Sequence, residues 1–114
     1  MKIIAKEAPE VVEAFRNLTK AIDKKSVIDT KTKELILLGI FTADKAVSGI
    51  DTHVRLALKN GADRNEIVSA ILYALPIVGV PSTVLAVNRA LEVIGEVQKI
   101  ENDENGGNSN GGDK

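Results

Sequence analysis

The sequence of 114 residues contains no cysteine, no tryptophan and a single histidine, and only three of its residues are aromatic. Without cysteine, the protein has no disulfide, no thiolate metal ligand, no CxxC redox motif and no cysteine nucleophile. The lone histidine, His53, also argues against a zinc site built from protein ligands, because such sites take several His or Cys ligands. We therefore predict that the protein holds no metal.

The protein has 15 basic and 16 acidic residues, which gives a formal net charge of −1. Nucleic-acid-binding domains carry a clustered excess of Lys and Arg. The balance therefore argues against a helical DNA-binding module and against nucleic acid as a partner.

The last fourteen residues, ENDENGGNSNGGDK, include four Asn, four Gly and no apolar residue. Such a segment buries too little surface to offset the entropy of ordering it. We predict a folded domain over 1–100, with 14 basic and 12 acidic residues, and a disordered polar Asn/Gly-rich tail over 101–114.

An uncharged run of 21 residues, 67–87, has the length of a membrane-spanning helix. Pro76, Gly79 and Pro81 interrupt this run, and residues of these two types break helices. The run is therefore interpreted as a buried helix–turn–helix. Residues 1–6 are too short for a signal peptide, so we expect a cytoplasmic protein with no membrane partner.

Apolar residues recur every three or four positions through most of the chain, and no segment alternates as a strand does. This pattern predicts an all-α fold, a compact domain of about five to six helices. Five helices are indicated directly. Their approximate ranges are 9–24, 31–44, 50–60, 63 to about 76–79, and from 81 past residue 97.

Several of these helices have a recognisable start or end. Asp29 can cap the second helix, residues 48–49 (Ser-Gly) interrupt the pattern before the third, and Gly61 ends the third as a left-handed cap. Asp63 with Glu66 three residues later is a capping box, the clearest helix start in the chain.

Some helices are apolar over more than one stripe, most clearly in 35–41 and 67–87. A body of about 100 residues has limited interior in which to bury them. Either the core is unusually full or a neighbouring subunit covers part of this surface. We favour a homo-oligomer.

His53 is the default general acid or base, because histidine exchanges protons readily near neutral pH. Glu34 lies on the apolar second helix, where it could orient the histidine or shuttle a proton. The alternatives are an ordinary surface or hydrogen-bonded core histidine and a solvated first-turn glutamate that the helix dipole explains. Composition and spacing leave these alternatives open.

The spacing of the two residues along the predicted helical hairpin raises a geometric problem. If the second helix ends at residue 44, Glu34 lies roughly 15 Å from the turn and His53 roughly 6 Å past it. A straight antiparallel pair leaves an offset of roughly 9 Å, too far for direct contact. Contact then requires an earlier helix end, a steep crossing, or a bridging water or second subunit.

A series of short motifs runs in order along more than half of the chain. They are Lys33-Glu34-Leu35, His53-Val54-Arg55, Ala57, Asn60-Gly61, Glu66-Ile67 and Gly79-Val80-Pro81. Over residues 31–94 this series resembles the carboxymuconolactone decarboxylase family and its alkylhydroperoxidase D-type relatives. The resemblance implies an alkylhydroperoxidase D-like helical fold and a trimeric or hexameric assembly with sites near subunit boundaries.

In the redox branch of this family, the resemblance implies two cysteines seven and four residues before the histidine, with the upstream glutamate in a proton relay. The corresponding positions here are Ala46 and Gly49. Glu34 and His53 match the relay, but the thiols are missing. Thiol peroxidase activity is therefore disfavoured.

The decarboxylase branch resembles this sequence better, since its enzymes work without cysteine, metal or organic cofactor. The implied function is cofactor-free acid–base decarboxylation of a small carboxylated or lactone substrate, with His53 as proton donor and Glu34 orienting it. The implied substrate-binding residues are Arg55 or Arg89 for an acid group and Tyr73 for a hydrogen bond. Surface arginines and a core tyrosine are the plainer alternatives.

An alternative interpretation is that the protein has the same fold but no catalytic activity. A non-catalytic oligomeric binding protein or scaffold of the same fold also fits a short chain with one histidine and an apolar excess. The sequence alone identifies no substrate.

Overall fold

The computed structural model describes residues 1–109, with side chains up to residue 105. This part of the chain forms helices and no strand, which confirms the predicted all-α fold. The helices are α1 (Lys2–Glu7), α2 (Pro9–Lys25), α3 (Thr30–Ala43), α4 (Val47–Lys59), α5 (Arg64–Leu72), α6 (Leu75–Val78) and α7 (Val80–Ser109). The two short helices, α1 and α6, add to the five that the sequence indicates.

Several helix boundaries follow the capping signals in the sequence. The Asp29 side chain accepts a hydrogen bond from the Thr32 N–H (2.8 Å) at the start of α3. At α5, Asp63 accepts from the Glu66 N–H (2.8 Å) and the Glu66 carboxylate accepts from the Asp63 N–H (3.0 Å), which completes the capping box. Gly61 follows α4 with a φ of +95°, a conformation that glycine adopts without steric cost.

The start of α4 differs from the prediction that residues 48–49 interrupt the helical pattern. α4 begins at Val47, and residues 44–46 make the turn from α3 instead. Lys45 has a left-handed φ of +58°, and the Ala46 N–H donates to the Phe41 carbonyl at 3.0 Å, which closes the end of α3. Lysine gives no sequence signal for a left-handed residue, so the prediction placed the helix start too late.

α7 continues past the predicted domain boundary, through residues 101–109. The sequence predicts disorder there, and the structure differs because an existing helix adds one backbone hydrogen bond per residue without a new nucleation cost. Residues 110–114 of the predicted tail lie outside the described residues. The division into domain and tail stays a prediction.

The uncharged run over 67–87 is divided among α5, α6 and α7, in agreement with a helix–turn–helix. Ile67 and Ile71 are fully buried, but Tyr73 and Ile77 are more than 80% exposed, so the prediction that the run is buried is wrong for a single chain. Within the described residues, no helix combines the length and apolarity needed to cross a lipid bilayer.

Four helices, α3, α4, α5 and α7, enclose the hydrophobic core. α3 packs against α4 and α5, and α7 packs against all three. The side chains at the centre are almost without exposed surface, and they include Leu38, Ile50, Val54, Ala57, Ile67, Ile71, Ala90, Val93 and Ile94. This core holds α3 beside α4, the two helices that carry Glu34 and His53.

α1 and α2 pack on each other and make few contacts with the core helices, and we call them the N-terminal arm. One face of α2 carries four apolar residues, each between 54% and 60% exposed, which we call the α2 stripe: Val11, Phe15, Leu18 and Ile22. The radius of gyration is 17.1 Å, against about 13 Å for a compact chain of this length. The arm therefore leaves an apolar face exposed in the single chain.

Replacement of Leu38 by alanine is expected to destabilise the fold by about 2–5 kcal/mol, because removing this fully buried side chain leaves a cavity. Equilibrium unfolding in urea measures this free energy. Val27→Ala is the control, since Val27 is 99% exposed and its effect should stay within about 0.5 kcal/mol. Equal effects of the two substitutions would contradict the core position of Leu38.

Candidate active site

Glu34 and His53 are in direct contact across the interface of α3 and α4. His53 Nδ1 is hydrogen-bonded to Glu34 Oε1, and because an ionised carboxylate only accepts, the imidazole Nδ1–H is assigned as the donor. Glu34 is buried, whereas the His53 side chain is 20% exposed. The structure thus brings together the two residues that the sequence singled out.

The early start of α4 explains this contact. Because α4 begins at Val47, His53 lies six residues, about 9 Å, along that helix, while Glu34 lies nine residues, about 13.5 Å, before the end of α3. The offset falls from the expected value of roughly 9 Å to about 4.5 Å, which side chains can span. The expectation that a straight hairpin keeps the two residues apart is therefore wrong.

The buried Glu34 carboxylate requires compensating donors. His53 supplies one at Oε1, and the Lys33 ammonium lies 3.9 Å from Oε2. Lys33 is also 3.3 Å from the carboxylate of Asp23 in α2, so the N-terminal arm reaches the edge of the site through this lysine.

The second imidazole nitrogen of His53, Nε2, makes no hydrogen bond to any residue in the described part of the chain. Since Glu34 holds the proton on Nδ1, Nε2 of the neutral ring carries a free lone pair, and Nε2 of the charged ring carries a transferable proton. This arrangement equips His53 to act as a general base or a general acid toward a small molecule at its exposed edge.

The Phe41 ring covers one face of the imidazole. The centroids of the two rings are 5.0 Å apart and their planes meet at 23°, a stacked pair. In the sequence Phe41 is one member of the apolar face of α3, and only its spacing hinted at this contact. It lies seven residues, two helical turns, after Glu34 on the same face, so a side chain of α4 that reaches Glu34 also passes near Phe41.

Arg55 and Arg89 lie in an ion-pair cluster that joins α4 to α7. Arg55 donates to Asp51 at 3.0 Å and to Glu96 at 2.7 Å. Arg89 donates to Asp51 at 2.7 Å and lies 3.8 Å from Glu96. Asp51 and Arg55 each stand two residues from His53, a rotation of about 200° around the helix. The structure therefore does not bring the two arginines to the Glu34–His53 pair.

Tyr73 is 83% exposed, so the alternative of a core tyrosine is wrong. Its side chain lines a groove of about 640 Å³ between α3 and α5, whose walls include Leu35 and Ala70. Neither Glu34 nor His53 lines this groove. Tyr73 is therefore separate from the pair as well.

The two positions where the resemblance implies thiols in the redox branch lie at the start of α4 and carry no reactive group. Ala46 is the N-cap of α4, and Gly49 lies in its first turn, four residues before His53. Within the described residues, no group of three or more His, Asp or Glu side chains is arranged to hold a metal ion.

Comparison with known proteins bears on the family and the fold. The model of the carboxymuconolactone decarboxylase family matches residues 9–92. The chain belongs to this family. An uncharacterised protein of Methanocaldococcus jannaschii is 26% identical over 96 residues, which are 84% of this chain and 90% of that protein.

The crystal structure of an apo carboxymuconolactone decarboxylase family protein from Legionella pneumophila is similar, with a TM-score of 0.72 at 29% identity. The similarity covers 83% of this chain and 84% of that one, and it confirms the predicted fold. The family match begins at Pro9, so the carboxymuconolactone decarboxylase domain includes α2 and is wider than the resemblance over 31–94.

The ion pairs between α4 and α7 make the stability of this carboxymuconolactone decarboxylase family protein depend on pH. The hydrogen bond from Arg89, followed by that from Arg55, holds the pKa of Asp51 below its ordinary value. Such a carboxylate stabilises the folded state above its unfolded pKa of about 3.9, and this contribution is lost as the pH falls through the lower, folded value. We expect Asp51→Asn to lower the melting temperature at pH 7, and we expect this difference from the wild type to shrink as the pH falls below about 3.9.

Thermal unfolding of the wild type and of Asp51→Asn between pH 7 and pH 2.5 measures this difference. Asp103→Asn, at an exposed position of α7, is the matched control and should change the melting temperature little at any pH. A gap between the wild type and Asp51→Asn that stays constant with pH would contradict the assignment.

Proposed function

We propose that the protein is a cofactor-free decarboxylase of a small carboxylated lactone, with carboxymuconolactone as the reference substrate. The observation that carries this proposal is the pairing of the one histidine with a buried glutamate, which leaves Nε2 of His53 unpaired in a partly exposed side chain. Membership of the carboxymuconolactone decarboxylase family supports the reaction class.

Decarboxylation of such a substrate breaks the bond between a ring carbon and the carboxylate carbon. CO2 leaves, and the electron pair of that bond stays on the lactone, where conjugation spreads the charge. The proton on His53 Nε2 then adds to the carbon skeleton, and the imidazole regains a proton from solvent. Glu34 orients the ring through Nδ1 and offsets the charge of the imidazolium. The apolar Phe41 ring beside it favours loss of the charged carboxylate.

A small substrate at His53 needs a pocket that encloses it. None of the main grooves on the described surface is lined by His53 or Glu34. We propose that a second copy of the chain closes the site, in the trimer or hexamer that the family resemblance implies. The α2 stripe is the proposed contact surface, because a continuous exposed apolar face favours association.

A non-catalytic member of the family, acting as an oligomeric binding protein or scaffold, is the second candidate function. The position of His53 outside the walls of the main grooves on the described surface favours it. The groove between α3 and α5, of about 640 Å³, has the size of a small-molecule site. In that case a ligand would bind beside Tyr73, and substitution of His53 would leave its affinity unchanged.

The decarboxylase proposal predicts the effect of two substitutions on the turnover of carboxymuconolactone. His53→Ala should lower kcat/KM by about 10²- to 10⁴-fold, because the proton donor is lost. Glu34→Gln should lower it by about tenfold to a hundredfold, because the neutral amide orients the imidazole less well. Glu13→Gln, the same change at an exposed position of α2, should keep wild-type activity. Release of CO2 and formation of the lactone product are measured together.

Thermal unfolding of each variant separates lost chemistry from lost fold, since His53→Ala leaves the buried Glu34 carboxylate without its donor. No turnover by the wild type, or equal turnover by the wild type and His53→Ala, would overturn the decarboxylase and favour the non-catalytic member.

The proposed assembly predicts that a charge in the α2 stripe breaks the oligomer. Leu18→Glu should reduce the wild-type trimer or hexamer to smaller species, because an unpaired carboxylate is costly in an apolar contact. Asn17→Glu adds the same charge about 100° away around the helix and should leave the mass unchanged. Light scattering on a sizing column measures all three masses. A monomeric wild type, or three equal masses, would refute this contact.

A further inference from the structure

Gly49, in the first turn of α4, faces the ring of Phe41. A Cβ built on Gly49 would lie 2.7 Å from Cε1 and Cγ of that ring and closer still to Cδ1. Non-bonded carbon atoms meet at about 3.5–4.0 Å. The Phe41 ring therefore fills the space that any side chain at position 49 would need.

The backbone gives no other reason for glycine at this position. Its φ is not in the left-handed region, unlike those of Gly61 (+95°) and Gly79 (+89°). Within a helix, glycine is less favourable than alanine. Gly49 thus destabilises α4 relative to alanine, but its lack of a side chain leaves space for the Phe41 ring.

The ring held in that space lies on His53. With centroids 5.0 Å apart and planes at 23°, it covers one face of the imidazole, while Glu34 binds the ring edge at Nδ1. A rotation of the imidazole about its Cβ–Cγ bond, which would replace Nδ1 by Cδ2 at Glu34, would sweep through the volume that Phe41 occupies. The stacked ring therefore opposes the rotation and keeps Nδ1 at Glu34.

We propose that Phe41 is a positioning residue for His53, and that position 49 lacks a side chain because Phe41 must occupy that space. Phe41 keeps Nδ1–H on Glu34 and so keeps Nε2 as the nitrogen that meets a substrate. The kinetic consequence rests on the proposed function, whereas the orientation of the ring does not depend on turnover.

The first test is kinetic. Phe41→Leu should lower kcat on carboxymuconolactone by about tenfold with little change in KM, because the proton donor is misoriented and no binding group is lost. Ile100→Leu is the control, since it also introduces leucine, at a half-exposed position of α7 outside the α2 stripe, and should keep the wild-type kcat.

The second test reads the imidazole directly. Because His53 is the one histidine, ¹⁵N spectra of histidine-labelled protein contain a single pair of ring nitrogens. With the ring neutral, the wild type should show a protonated Nδ1 and an unprotonated Nε2. In Phe41→Leu and in Gly49→Ala the two shifts should move toward each other as the two tautomers mix. Gly95→Ala is the control, because a Cβ there meets nothing within 4 Å.

A third measurement separates steric conflict from helix propensity. Gly49→Ala should lower the melting temperature of the wild type, where the new Cβ meets the Phe41 ring. In a Phe41→Ala background the same substitution should raise it, because alanine favours the helix once the ring is gone. Gly95→Ala should act alike in both backgrounds.

Unchanged imidazole shifts in both Phe41→Leu and Gly49→Ala would overturn the proposal, and so would a Gly49→Ala effect of the same sign in both backgrounds. If Phe41→Leu fails to fold, the spectrum of Gly49→Ala tests the proposal instead, because that variant keeps the Phe41 side chain. If the wild type shows no turnover, the proposed function fails, while the spectra and melting temperatures still decide the role of Phe41.

Discussion

A carboxylate inside an apolar helix interface is stable only where donors meet it, and Glu34 imposes that condition on the packing of α3 against α4. His53 contacts one oxygen and Lys33 approaches the other at 3.9 Å. The condition holds in one register of the two helices, the register that the buried apolar side chains of the core also require. Glu34 and His53 consequently depend on each other, because loss of the imidazole leaves the buried carboxylate without this donor and loss of the carboxylate leaves Nδ1 without its acceptor.

The local parts of this structure were predictable from the sequence, and the parts that depend on tertiary register were not. Capping by Asp29 and the Asp63–Glu66 box involves atoms within one turn, so residue identity decides the outcome. The left-handed Lys45 carries no such signal, because only the surrounding fold stabilises a lysine in that conformation. Because the turn at Lys45 was not foreseen, the predicted start of α4 was too late. That late start led to the incorrect prediction that Glu34 and His53 are too far apart for contact.

α4 keeps two kinds of polar contact apart by placing them on opposite faces. Asp51 and Arg55 face α7 and form ion pairs there, whereas Gly49 and His53, four residues apart, face α3. Arg55 and Arg89 were proposed as substrate ligands because a guanidinium can bind an acid group. The residue type alone does not show that both side chains are engaged in ion pairs between α4 and α7. The Phe41 contact was missed for the same reason, because an apolar residue within an apolar run is visible only once the neighbouring helix is in register.

The N-terminal arm is attached to the core helices by few contacts. Residues 26–29 join the arm to the core helices, and Val27 there is 99% exposed. Few contacts therefore oppose the separation of the arm from the core helices. In the proposed assembly the α2 stripe is covered only by another copy, so the stability of the arm would rise with protein concentration. Dilution would therefore loosen the arm. Since Lys33 connects the arm to Glu34, the edge of the site would respond to how much of the protein a cell contains.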